Sequence, residues 1–379
     1  MGPLISSGRA AILSLSLAAG GCTGAARPAE PGNGGIMLAL REVRSWGTAA
    51  GDSTQEFHGI AGARYLKEAS VVLIADQGSH SVRVFSDDGH YLRSVGRPGR
   101  GPGDIAFMTG LMTSDSTMAV VQGNQVSRWT LEGRFLTVWE PSVPGRQLSL
   151  LGPLGSGTWV AATGPQATFV PGLEAQVARL YRIPTTGGPA TSIAEVYWRT
   201  VLNVVSGRGV TGYAAPYAAE GMVATGDGAF WYANGSDPTV RRIGPDGATL
   251  IEVKLPYQPS RVSAEDRRAY VDRLFPVPHP DEARIRRELG PAAFPAFHSA
   301  IVQLVAAPHG SVWVGLGASA DEPGRLWCLV SQNGRVLGKV RLPPEDRLLD
   351  AADGYVLVSH EDKEGVERVA LMAFRGGAP

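Results

Sequence analysis

VVLIADQGSHSVRVFSDDGHYLRSVGRPGRGPGDIAF (71–107) decides how this sequence folds. Apolar and β-branched residues run up to Ala75-Asp76, a short polar turn follows, and Arg83-Val84-Phe85 lies in a second strand. Asp88-Gly89 then turns the chain into a third strand, HYLRSVG (90–96), and a glycine-rich linker carries it to Phe107. Asp-Gly dipeptides supply the positive φ angles that tight hairpins demand, so consecutive strands are expected to pair antiparallel.

The same pattern returns along the chain. Copies of its first strand are VVLIADQ (71–77), TMAVVQG (117–123), TWVAATG (158–164), AFWYANG (229–235), SVWVGLG (311–317) and YVLVSHE (355–361). Most are followed by a strand, a small turn and a returning strand: SRWTLEGRFLTVWE (127–140), VRRIGPDGATLIEVKL (240–255) and LWCLVSQNGRVLGKVRL (326–342). Asp246-Gly247 and Asn333-Gly334 are the expected turns of the last two. Six such units predict an all-β chain with six blades of four antiparallel strands. With 49 Gly and 27 Pro among 379 residues, the composition also favours short strands over long helices. The third unit is irregular, turning through TTGG (185–188), and 198–218 reads as a connection with little periodicity.

The two ends of the chain complete each other. The last unit offers RLLDA (347–351), YVLVSHE and RVALMAF (368–374), one strand short of a blade. IMLALREVRSWG (36–47) runs through Gly47 to Phe57 much as HYLRSVG runs through Gly96 to Phe107, so it has the place of an outermost strand. Pairing the ends closes the ring and removes exposed sheet edges. The expected fold is therefore a six-bladed β-propeller closed by an N-terminal strand and spanning 36–379.

The 71–107 unit resembles an NHL repeat. The looser pattern over about residues 36–376 is similar to that of bacterial propeller lipoproteins of unassigned role. The resemblance implies the six-bladed fold and carries no particular activity.

Outside the repeat, Arg9 precedes an apolar stretch from Ala10 to Ala19, too short to cross a bilayer, which reads as an export signal. LAAGGC (17–22) looks like a lipobox, with Ala19 where leucine is preferred. Cys22 would then carry lipid, and release into the periplasm or exterior is the alternative. TGAARPAEPGNGG (23–35) is too small and polar to bury a core and reads as a flexible tether. Cys328, within LWCLV, reads as a buried hydrophobe. A small helical insertion is expected at 256–298. Ser263 would cap a helix whose Tyr270, Val271, Leu274 and Phe275 share a face, and a second helix would begin near Asp281. The insertion either covers one mouth of the channel or packs as an embellishment.

Basic and acidic residues balance at 35 each, so nothing in the net charge attracts nucleic acid. GRPGRGPGD (96–104) lacks the Gly-Lys-Ser/Thr of a phosphate loop, no Gly-x-Ser-x-Gly elbow occurs, and the seven histidines show no His-x-x-x-His spacing. Arg93, Arg97 and Arg100 read as a solvated loop, and Trp159, Trp231 and Trp313 as packing between blades. Phe57-His58-Gly59, Phe107-Met108-Thr109 and Phe297-His298-Ser299 stand just before innermost strands, bordering the channel. His58, Met108, His298 and Glu56 are therefore the candidate binding residues at its mouth. His58 and His298 would face each other there, but no third regular metal ligand is evident, and neither metal nor cofactor is expected. The reading is a monomeric, non-catalytic binding or scaffold module of the cell envelope for a protein, peptide or glycan. The alternative is a propeller-type lyase or lactonase with a metal or His/carboxylate group in the channel.

Overall fold

A computed structural model describes residues 27–28 and 35–375, apart from 115, 144–146, 156, 165–169, 207–208, 227, 275–285, 288 and 318–323. Strands dominate. The N-terminal segment supplies β1 (Arg27–Pro28), β2 (Ile36–Met37) and β3 (Ala39–Trp46). The first sheet follows as β4 (Ile60–Leu66), β5 (Val71–Asp76), β6 (Ser81–Ser86) and β7 (Tyr91–Val95). The second holds β8 (Gly110–Ser114), β9 (Thr117–Gln122), β10 (Gln125–Thr130) and β11 (Phe135–Trp139). The third has β12 (Leu148–Pro153), β13 (Thr158–Thr163), β14 (Gly172–Pro184), β15 (Thr191–Ser206) and β16 (Gly209–Ala214). The fourth comprises β17 (Met222–Gly226), β18 (Ala229–Ala233), β19 (Thr239–Ile243) and β20 (Thr249–Lys254). The fifth comprises β21 (Ile301–Ala307), β22 (Ser311–Leu316), β23 (Arg325–Val330) and β24 (Val336–Leu342). β25 (Arg347–Ala352), β26 (Tyr355–Glu361) and β27 (Glu367–Arg375) begin the sixth.

β3 completes that sixth sheet. It pairs antiparallel with β27, Trp46 opposite Val369 and Ala39 opposite Arg375, so the first long strand of the chain finishes the last blade. On the way there, β1 lies parallel to β20 and β2 parallel to β24, which adds an outer strand to the fourth and fifth sheets. The N-terminal segment thus passes along the rims of three successive blades.

Packing between sheets shows how the ring is held. The second strands are apolar runs buried along their length, such as SVWVGL in β22, because a neighbouring sheet covers each face. Six apolar clusters lie in six seams. One joins the first and second sheets through Leu73, Val84, Leu111 and Trp129. Others join the second to the third through Val121 and Trp159, and the third to the fourth through Leu180 and Phe230. The fourth meets the fifth through Trp231 and Val314, and the fifth meets the sixth through Trp313 and Val356. The last places Trp46 and Leu357 of the sixth sheet against Val72 and Phe85 of the first, so the ring is closed. The chain is a β-propeller, and its described strands form six sheets of four or five strands. Trp159, Trp231 and Trp313 are all buried, as is Cys328, whose thiol burial pushes up to about 11.

The hairpin turns differ from expectation in one respect. At Asp88-Gly89, Asp246-Gly247 and Asn333-Gly334 only the glycine has positive φ, at 104°, 87° and 80°. Each turn is followed by a register shift in its hairpin, so the extra residue is taken up as a bulge with glycine in the left-handed region. Glu132-Gly133 in the second blade repeats the arrangement.

Residues 198–218 are not the aperiodic connection expected. They hold the end of β15, all of β16 and a short loop, and β15 pairs with both β14 and β16. β14 and β15, at 13 and 16 residues, carry the third blade past the length of its neighbours.

Candidate functional site

Each loop that enters a blade arrives at the start of an innermost strand, so all these loops share one face of the propeller. His58, Met108 and His298 lie on this face, before β4, β8 and β21, and Glu345-Asp346 lies on it before β25. Backbone bonds hold the first two. The His58 amide donates to Asp76 Oδ1 at 2.8 Å, leaving the residue exposed, and the Met108 amide donates to Gln77 Oε1 at 2.7 Å, with Met108 buried. His298 is turned toward the insertion, where its Nε2 is 3.3 Å from Asp266 Oδ2 and its ring stands edge-on to Tyr217. Glu56 is half-buried. These residues are not gathered into a ligand set, and Cys22 lies outside the described residues. Among the described residues, one group of three metal-type side chains has its ligand atoms within 4.8 Å of one another: Glu345, Asp346 and His360.

That group borders a cleft of about 550 Å³ where the sixth, first and second blades meet. Its floor is the clip between the last blade and the first. The Glu367 carboxylate accepts the amides of Gly59 and Ile60, and the Arg347 guanidinium donates to the Ile60 carbonyl at 3.0 Å. Glu361, opposite Glu367 in the β26–β27 ladder, adds a second carboxylate, and exposed Glu345 a third. Phe107, 45% exposed, and the edge of Met108 form the apolar side. The cleft can therefore hold a polar or cationic group against carboxylates with an aromatic face beside it.

At its rim, His360 Nδ1 lies 2.6 Å from Asp346 Oδ1. Burial pushes the Asp346 carboxyl above its ordinary value, and His360 opposes that rise. Sequence reasoning missed this pair, although the repeat contains its signal. The sixth residue of the second strand is Asp76 in the first blade, Gln122 in the second and His360 in the sixth. Asp76 and Gln122 each fasten the incoming loop by accepting a backbone amide, from His58 at 2.8 Å and from Ala106 at 2.9 Å. His360 meets a side chain of its loop instead.

Asp76 also anchors the 71–107 unit. Fully buried, it pairs with Arg83 Nη2 at 2.8 Å, while Arg83 reaches the Ser53 carbonyl and lies over the Phe57 ring. In the linker, Arg97 pairs with Asp104 at 2.7 Å, and Arg93 donates to the Leu131 carbonyl.

The channel narrows at its other end. A cavity of about 230 Å³ there is lined by residues from all six innermost strands, among them Arg64, Met112, Pro153, Thr225, Val305 and Asp350. Arg64 stands in its wall, 3.6 Å from Asp350 and bonded to the Leu349 carbonyl. Burial pushes the Asp350 carboxyl up, with Arg64 acting in the opposite direction.

The insertion builds the far side of the loop face. Helix α1 (Ala264–Leu274) starts in a capping box: Ser263 Oγ accepts the Asp266 amide at 3.0 Å and Asp266 Oδ2 accepts the Ser263 amide at 2.7 Å. Val262, Val271 and Phe294 pack with Tyr217 and Tyr270 around Leu202 of β15. The insertion thus docks on the third blade's extension. The Leu274 side chain, Phe275 and the start of the expected second helix lie outside the described residues.

No family model matches the chain, and no curated protein matches it. Solved structures do. A member of the DUF4221 family from Bacteroides vulgatus aligns with 90% of this chain and 99% of its own length, at TM-score 0.55 and 7% identity. A Bacteroides fragilis protein described as exported aligns over 89% and 95%, at 0.50 and 11%. A streptogramin B lyase aligns over 89% and 98%, at 0.42 and 11%. At these identities the likeness concerns the propeller fold alone.

Proposed function

We propose that this chain is a cell-envelope binding propeller that holds a protein, peptide or glycan in the loop-face cleft between its sixth, first and second blades. One observation carries the reading: Phe107 remains exposed beside three carboxylates in a cleft whose floor is fixed by Glu367 and Arg347. Aromatic surface next to carboxylates is the composition of a recognition site. The docked insertion and the long β14–β15 hairpin belong to the third, fourth and fifth blades, across the ring from the cleft, and would bound a larger partner on that side. Balanced charge makes nucleic acid an unsuitable partner.

The envelope location rests on residues 1–22, with Cys22 as the proposed lipid attachment; of the stretch 23–35 expected as a tether, Arg27–Pro28 pair with β20 on the propeller rim. The NHL-like assignment rests on the 71–107 unit and its buried Asp76–Arg83 pair. The Asp346–His360 pair favours one second reading, a propeller-type lyase or lactonase using a His/carboxylate group, in which His360→Ala would abolish turnover.

The binding reading is tested by capturing envelope components on immobilised protein, with Phe107→Ser and Glu361→Gln compared to the parent. Loss of the same component by both variants, with unchanged melting, supports the cleft. Undiminished capture by both removes it.

A further inference from the structure

We propose that Glu345, Asp346 and His360 form a site for one divalent metal ion of the zinc class, at the rim of the loop-face cleft. Their ligand atoms, two carboxylate oxygens and one imidazole nitrogen, lie within 4.8 Å of one another. Zinc bonds to nitrogen and carboxylate oxygen at about 2.0–2.2 Å, so ligand atoms around one tetrahedral ion stand roughly 3.3 Å apart; Glu345 must draw in, and His360 and Asp346, now at 2.6 Å, must part slightly to admit the ion. Glu345 is exposed and His360 is 39% exposed, so both are free to move. Asp346, 12% exposed, is the fixed member.

The donor set selects the ion. One imidazole with two carboxylates suits zinc and its first-row neighbours, whereas calcium and magnesium favour oxygen alone. Three protein ligands leave a fourth position open.

The repeat supplies an independent argument. Fastening the incoming loop needs only an acceptor facing a backbone amide, as Asp76 and Gln122 show. The sixth blade places imidazole against carboxylate at this position, with a second carboxylate adjacent in Glu345. The imidazole and the Asp346 carboxylate can exchange their hydrogen bond for metal bonds, which a backbone amide cannot do. The neighbouring cations are engaged elsewhere, Arg347 with the Ile60 carbonyl and Arg368 with Asp362 at 3.4 Å. Neither competes with an ion for the group.

The site is tested without any ligand of the cleft, so its outcome is separate from that of the binding reading. The whole chain, stripped with chelator, is titrated with zinc chloride by calorimetry, and bound zinc is measured after dialysis. One equivalent per chain is expected. Losing even an outer partner of a metal site costs about 10–100-fold in affinity, so His360→Ala and Glu345→Gln should weaken binding at least about tenfold. His58→Ala and His298→Ala should bind as the parent does. Zinc should also raise the melting temperature of the parent and leave that of Glu345→Gln unchanged, a readout independent of whether His360→Ala folds. Absence of stoichiometric zinc, or full uptake by Glu345→Gln and His360→Ala, overturns the proposal. So does loss of the equivalent in His58→Ala or His298→Ala.

Discussion

The rings of Trp46 and Phe85 stand 6.2 Å apart across the seam between the last and first blades, one from the N-terminal strand and the other from the first blade's third strand. Ring closure passes through this contact. Trp46 is 1% exposed and packs with Val369 and Leu371 on its own sheet and with Val72 and Ile74 on the next. Truncating a buried tryptophan costs about 3–5 kcal/mol, so Trp46→Ala should lower unfolding stability by that much in urea titration. Its Nε1 has no hydrogen-bond partner among the described residues, so Trp46→Phe should cost clearly less. Equal losses for the two would show that the seam does not depend on this packing.

The Asp76–Arg83 pair should behave as a buried couple. Arg83→Met leaves the Asp76 carboxylate desolvated and unpaired, and breaking such a pair costs about 3–5 kcal/mol. Adding Asp76→Asn to Arg83→Met should recover part of that loss, a coupling visible in a double-mutant cycle from equilibrium unfolding. Strict additivity would mean that the two side chains act independently.

Stability should carry a pH signature from Asp350. Burial raises its carboxyl in the folded chain, which therefore retains a proton that the unfolded chain releases near pH 4. Its contribution is full below the unfolded value and is lost as pH rises through the folded value. Asp350→Asn should make the decline in melting temperature above about pH 4 shallower than in the parent. A steeper decline in the variant would contradict the direction assigned to this group.

Closure was legible because it depends on local pattern: the six strand copies, the strand missing from the last unit and its counterpart at 36–47. The third blade's extension was not, because β15 and β16 lack a simple alternation of their own. Leu202 is buried by Val262, Val271 and Phe294, about 60 residues or more downstream, so its apolar role exists only after the insertion docks. The candidate site was legible as a face. Register puts His58, Met108 and His298 before their inner strands, but side-chain direction comes from partners that register does not supply. For His298 that partner is Asp266 on the insertion. His360 and Asp346 stand 14 positions apart, and their meeting follows only from aligning the ends of the second strands across the repeat.

The central claim, recognition in the cleft between the sixth, first and second blades, is tested most directly by site-specific photo-cross-linking in intact envelopes. A photoreactive amino acid is placed at position 107, in the cleft, or at position 113, at the narrow end of the channel. The account expects a discrete adduct from position 107 and none from position 113. An adduct from position 113 alone, or equal adducts from both, would contradict it.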